Sequence, residues 1–249
     1  MRRKSFLTLL ASSLLVLLLT LSCSSIERKL LFYPTHQSTD NGLTPWIRNG
    51  EVIGYSRLVA SPSNVWLMVH GNGGQASDRA YAIASFSPQD SVYFLEYPGY
   101  GNRKGTPSRS TFNRAAEEAY LFLRESNPQT PVCVVAESIG SGPASSLAKL
   151  NPPPDKLVLI VPFDKLSLVA KDHFPSVVVA VLLRDNWDNV EALSTYKGPV
   201  EIFAAESDTI IAPNHAKALA TAIPSSKFVL IKGGHNEWSA QPEVRIRNP

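Results

Sequence analysis

Cysteine is scarce in this chain of 249 residues. There are two, Cys23 and Cys133, and their spacing fits neither a disulfide framework nor a zinc site. Cys133 sits in the apolar run Val132-Cys133-Val134-Val135, where a buried, inert thiol is expected. An excess of one charge is also missing. The formal net charge is +3, and Arg2, Arg3 and Lys4 account for all of it, because no acid precedes Glu27. The remainder is near neutral and carries no basic stripe, which excludes nucleic acid as a partner. Nor is there an internal repeat or a low-complexity linker. The one Gly-rich loop, His70-Gly71-Asn72-Gly73-Gly74, lacks the Lys-Ser/Thr of a phosphate loop and the spacing of a dinucleotide fingerprint. No metal and no cofactor are expected.

What is present begins with an address. Met1-Arg2-Arg3-Lys4 is a positive n-region, and the Leu-rich run Phe6 to Leu19 that follows is shorter than the roughly 20 residues of a spanning helix. Small residues then lead to Cys23. This is a secretory signal pattern over residues 1–22, leaving 23–249 as the domain. Leu21-Ser22-Cys23 resembles the lipobox of bacterial lipoproteins, with Thr20 where an aliphatic residue is usual. The resemblance implies lipidation of Cys23 and a lipid membrane as partner through the N-terminal anchor. Ser24 resembles the sorting pattern for the outer membrane of a Gram-negative cell envelope, facing the periplasm. A plain cleaved signal or an uncleaved anchor are the alternatives.

After Ile26, apolar runs of strand length alternate with amphipathic stretches of helix length. Asn49-Gly50 inside Trp46 to Val59 signals a hairpin. Strands are expected at Val65 to Val69, Ser91 to Glu96, Pro131 to Glu137, Lys156 to Val161, Pro199 to Ala205 and Lys227 to Ile231. Helices are expected at Thr111 to Glu125, capped by Ser110 or Thr111, and at Ile139 to Leu150 and Pro213 to Ala222. Continuous apolar strands separated by helices mean an α/β domain with a mostly parallel central sheet and helices on both faces. Residues 163–197 are read as a small helical cap.

In such sheets, sites lie at the carboxyl ends of strands. Ala136-Glu137-Ser138-Ile139-Gly140 falls at a strand-to-helix junction, where a sharp turn would expose the Ser138 hydroxyl and aim a helix N-terminus at it. Serine needs a base. Among His36, His70, His173, His215 and His235, the last follows Gly233-Gly234 after the final strand and is favoured, while His70 is expected to hold the Gly-rich loop. The base needs a carboxylate. Asp208 is favoured, with Glu206 and Asp164 as rivals. An oxyanion hole would use the backbone N–H groups of Ile139 and Asn72.

Leu31-Phe32-Tyr33-Pro34, His70-Gly71-Asn72, Tyr97-Pro98-Gly99-Tyr100-Gly101, Gly105-Thr106-Pro107-Ser108, Ser138-Ile139-Gly140-Ser141-Gly142-Pro143, Ser207-Asp208-Thr209-Ile210-Ile211-Ala212-Pro213 and Gly234-His235-Asn236 occur in order. Together they resemble the α/β-hydrolases of the bud-emergence (Bem) type, a group that includes protein depalmitoylases and is similar to serine aminopeptidase-like hydrolases. Ala136, Glu96 and Ala205 depart from its pattern. The resemblance implies an α/β-hydrolase fold and an acyl-enzyme mechanism on Ser138, His235 and Asp208. The expected substrate is a small acyl ester, a thioester or an acylated molecule, including palmitate. A peptidase or amidase on the same residues, or a catalytically silent envelope lipoprotein that binds a partner in the same cleft, are the alternatives.

Overall fold

The computed structural model describes residues 25–37 and 41–248. The expected signal segment and Cys23 lie outside the described residues. Among them, the main sheet has eight strands: β1 (Thr44–Arg48), β2 (Glu51–Arg57), β3 (Val65–Val69), β4 (Ser91–Leu95), β5 (Val132–Glu137), β6 (Leu157–Ile160), β7 (Val200–Ala205) and β8 (Ser226–Ile231). Their order across the sheet is β1-β2-β4-β3-β5-β6-β7-β8, with β2 antiparallel to both neighbours and every other pair parallel. This is the α/β-hydrolase fold. The β1–β2 hairpin turns at Asn49 and Gly50, whose φ of 50° and 77° are the left-handed values an Asn-Gly turn accepts cheaply.

The central strands are buried at every position because both faces are covered. Alternation along a strand divides their side chains between two cores. Leu67, Val69, Val134, Ala136 and Leu159 join one, against α1 (Arg109–Ser126). Trp66, Met68, Cys133, Val135 and Phe203 join the other, with Trp238 and Ile246. Burial, before the nearby charges, pushes the Cys133 thiol up to about 12, so it stays protonated as expected. Glu201 breaks the apolar run of β7 and is held by Lys156 at 3.1 Å and Lys227 at 2.7 Å.

Three differences from the sequence reading have local causes. Helix α1 begins two residues earlier than expected: the Oγ of Ser108, rather than Ser110 or Thr111, accepts the Thr111 N–H at 3.1 Å and caps it. The loop after β3 carries a 3₁₀ segment, Ala76–Ser85, in which small alanines interspersed with polar residues gave no clear helical period. The chain also continues past the His235 loop: Val244 and Ile246 are buried, and the Ile246 N–H donates to Ser85 at 2.8 Å.

Helix α2 (Ser141–Ser146) follows β5 through a tight turn at Ser138–Gly140. A side chain on Gly140 would collide with the carbonyl oxygens of Val69 and His70 at the end of β3. Gly140→Ala should therefore cost about 1–3 kcal/mol, as overpacking does, and lower Tm by several degrees in a thermal melt.

Candidate active site

The residue at the end of β5 is bent into an unusual conformation. Ser138 has φ of 55°, a left-handed value that strains a residue with a Cβ by about 1–3 kcal/mol. The strain lifts the hydroxyl above the strand end, and the surrounding turn is held in place. The Ser141 hydroxyl donates to the Ser138 carbonyl at 2.7 Å, and Asn189 Nδ2 donates to Ser141 Oγ at 3.0 Å and to the Phe163 carbonyl at 2.8 Å. Asn189 comes from α5 (Asn189–Leu193), so one segment of the region after β6 buttresses the turn.

Three loops bring their side chains together. His235 Nε2 lies 2.9 Å from Ser138 Oγ, and His235 Nδ1 lies 2.7 Å from Asp208 Oδ2. All three are buried. With Asp208 ionised, Nδ1 carries the proton and donates to the carboxylate, leaving Nε2 free to accept from the serine hydroxyl. The other oxygen, Asp208 Oδ1, accepts the N–H groups of Ile210 and Ile211 at 2.9 and 2.8 Å, which fixes the carboxylate. The acid loop and the histidine loop are tied to each other as well. The Ser207 N–H donates to Gly233 at 3.0 Å, and the Glu206 N–H to Ile231 at 2.9 Å. Glu206 itself is exposed.

Asp164, the other rival, has a different partner. Its Oδ1 lies 2.8 Å from Nδ1 of His215 on α6 (Pro213–Ala222), while His215 Nε2 lies 2.8 Å from Asp172 on α3 (Leu166–His173). Burial alone would lower the His215 pKa, but the hydrogen bonds and charges of Asp172 and Asp164 outweigh it and raise it. A raised folded pKa stabilises the fold fully below the unfolded value, near 6.5, and the gain is lost as pH rises through the folded one. The stability difference between wild type and His215→Gln should accordingly be larger at pH 6 than at pH 9 in denaturant melts.

The Gly-rich loop after β3 faces Ser138. His70 Nδ1 lies 2.7 Å from the Gly71 carbonyl, Tyr97 donates to the His70 carbonyl at 2.7 Å, and Tyr100 to the Asn72 carbonyl at 2.9 Å. His70 thus holds the loop. Glu96, one of the departures, accepts the Ala76 N–H at 3.1 Å on both oxygens and secures the loop's far end. Ile139 lies in the first turn after β5, where backbone N–H groups have no partner within the helix. Both Asn72 and Ile139 line the cavity beside Ser138.

That cavity has a volume of about 700 Å³. Its walls are largely apolar, with Leu31, Leu166, Val169, Ala170, Phe174 and Ile210 among them. One end is polar. Glu137 accepts the Tyr81 hydroxyl at 3.1 Å, and Arg79 lies 3.9 Å from the same carboxylate oxygen while donating to Tyr81 at 3.1 Å and to the Gly73 carbonyl. Burial first, then the Glu137 charge, push the Tyr81 hydroxyl up, so it remains a donor. Sequence reasoning missed Arg79, Tyr81 and Asn189. Each reaches the site from a loop or short helix without periodicity, and Asp78 beside Arg79 leaves that charge unremarkable in the sequence.

No family model matches the chain. It is 32% identical over 176 residues to an uncharacterized protein of Mycobacterium tuberculosis, covering 69% of this chain and 62% of that one. It is 28% identical over 194 residues to the lysophosphatidylserine lipase ABHD12 of Danio rerio, covering 70% and 50%. The chain thus spans about half to three-fifths of the length of these curated relatives. Among solved structures, the esterase Est1E of Butyrivibrio proteoclasticus, bound to ferulic acid, superimposes with a TM-score of 0.60 at 14% identity over 73% of this chain and 86% of that one. An esterase of Pyrococcus furiosus does so with a TM-score of 0.61 at 10% identity, over 84% and 95%. At that identity the likeness is one of fold.

Proposed function

We propose that this protein is a membrane-anchored serine hydrolase that cleaves a carboxylic ester or thioester of a lipid-like acyl substrate. The observation that carries the proposal is the hydrogen-bonded series Ser138–His235–Asp208 at the wall of an apolar cavity. The Ser138 oxygen attacks the acyl carbon while its proton passes to His235 Nε2, and Asp208 stabilises the imidazolium. The Ile139 and Asn72 N–H groups receive the oxyanion, each such donor being worth about 2.7–4 kcal/mol. Collapse of the tetrahedral intermediate breaks the bond to the alcohol or thiol, which takes the proton from His235. Water activated by His235 then attacks the acyl-serine, releasing the acid and restoring the hydroxyl.

The apolar walls favour an acyl chain over a polar side chain, and the lysophosphatidylserine lipases among the relatives act on a lipid ester of that kind. The N-terminal signal pattern and Cys23 would place the enzyme on a membrane. A fluorophosphonate probe tests the chemistry. The wild-type chain is expected to gain one adduct on Ser138, and Ser138→Ala none. An unlabelled wild type, or equal labelling of both, would sink the proposal. Intact mass of the protein from membranes reports the anchor: acyl mass on Cys23 supports it, and its absence refutes lipidation.

A further inference from the structure

The region after β6 presents an apolar surface that no other described residue covers. Helix α4 (Ser176–Leu182) reads Ser-Val-Val-Val-Ala-Val-Leu, yet of residues 171–181 only Val179 is buried. Val177 is 70% and Val181 61% exposed, one helical turn apart, and Phe174, 46% exposed, precedes them. Exposed faces of this kind mark interaction sites. The surface continues inward, because Phe174 also lines the Ser138 cavity, as do the exposed Leu30, Tyr33 and Ile210 around its mouth.

The occupant is indicated by where the described chain begins. Residues 25–31 form a helix with Ile26 and Leu30 exposed. Glu27 binds it to the end of the α4 segment, accepting the N–H groups of Arg184 at 2.5 Å and Asp185 at 2.7 Å. Cys23 is three residues before Ile26, a reach of at most about 11 Å in extended chain. A lipid-anchored Cys23 would therefore hold the bilayer surface against the cavity mouth. Exposed Arg28, Lys29 and Lys171 flank the apolar face, the arrangement that suits an anionic lipid headgroup layer.

We propose that α4, Phe174 and the helix of residues 25–31 form a bilayer-docking face through which acyl substrate enters the Ser138 cavity directly from the membrane. The inference rests on the hydrolase reading for what enters and on the N-terminal anchor for orientation. Interfacial docking explains why a valine-rich helix turns most of its side chains outward at the mouth of an apolar cavity.

The test uses the full chain in phosphatidylethanolamine–phosphatidylglycerol vesicles. All four native tryptophans are buried and shielded from iodide, so the emission gained over wild type by Val181→Trp reports on that position, with Leu230→Trp on the exposed edge strand as control. Brominated lipid is expected to quench the indole at position 181 several-fold more than that at 230, and iodide to quench it several-fold less. Equal iodide quenching at both positions, or no effect of brominated lipid at 181, overturns the docking face and includes the case of a protein partner. Val177→Asp/Val181→Asp should keep hydrolysis of p-nitrophenyl acetate within two-fold and lower fatty-acid release from vesicle-borne lysophospholipid at least ten-fold. Equal losses on both substrates would overturn the entry route. Absence of hydrolysis by the wild type would count against the hydrolase reading alone, since the quenching does not depend on turnover.

Discussion

Replacing Ser138 with alanine should lower kcat by about a million-fold on any ester the wild type hydrolyses, the size seen when a serine nucleophile is removed. The loss has a single cause. His235 Nε2 keeps its position and its carboxylate, but no oxygen remains to attack. Ser138→Ala keeps the Cβ and hence the left-handed strain at φ 55°. Ser138→Gly removes both the nucleophile and the strain. The glycine variant should therefore unfold with a stability about 1 kcal/mol above that of the alanine variant, the size of a left-handed penalty. Turnover with p-nitrophenyl acetate and urea melts of the three proteins check both parts. Alanine retaining more than a hundredth of wild-type kcat would remove Ser138 from the mechanism.

The second large effect separates two aspartates. Asp208→Asn should reduce kcat about ten-thousand-fold, because an amide can donate to His235 Nδ1 and trap the wrong tautomer. Asp164→Asn should leave kcat within about ten-fold. Its carboxylate accepts from His215 and from the Lys165 N–H at 2.6 Å, so the loss falls on stability, at about 1–3 kcal/mol for an unsatisfied buried partner. Measured side by side, the two variants decide the acid. A reversed pattern, with Asp164→Asn inactive and Asp208→Asn active, would assign that role to Asp164.

The two aspartates also show where sequence reading reached its limit. Both follow strands of one parallel sheet and both stand near a histidine in space. Chain order placed Asp208 and His235 on the last two strand ends, and that sufficed to favour the pair. It did not reveal that His215 takes Asp164 and carries Asp172 of α3 with it, because His215 lies 51 and 43 residues from the two aspartates and meets them only where α6 packs beside α3 and the end of β6. The same holds for the Arg79–Tyr81–Glu137 cluster. Glu137 was visible as the neighbour of Ser138, but its partners lie in a 3₁₀ segment without periodicity.

From the sequence alone, the period of the apolar residues determined the strands, the helices and a sheet buried on both faces. The small residues around Ser138 and the glycines before His235 determined where a strained turn and a reaching loop could form. These are short-range effects of side-chain volume and backbone freedom, and they act within a few residues. Tertiary structure alone decided which carboxylate meets which imidazole, how the loop at Asn72 is held by Tyr97 and Tyr100, and that α4 faces outward beside the cavity mouth. Those outcomes depend on contacts between segments tens of residues apart, where distance in space is set by the packing of the whole sheet and not by the order of residues.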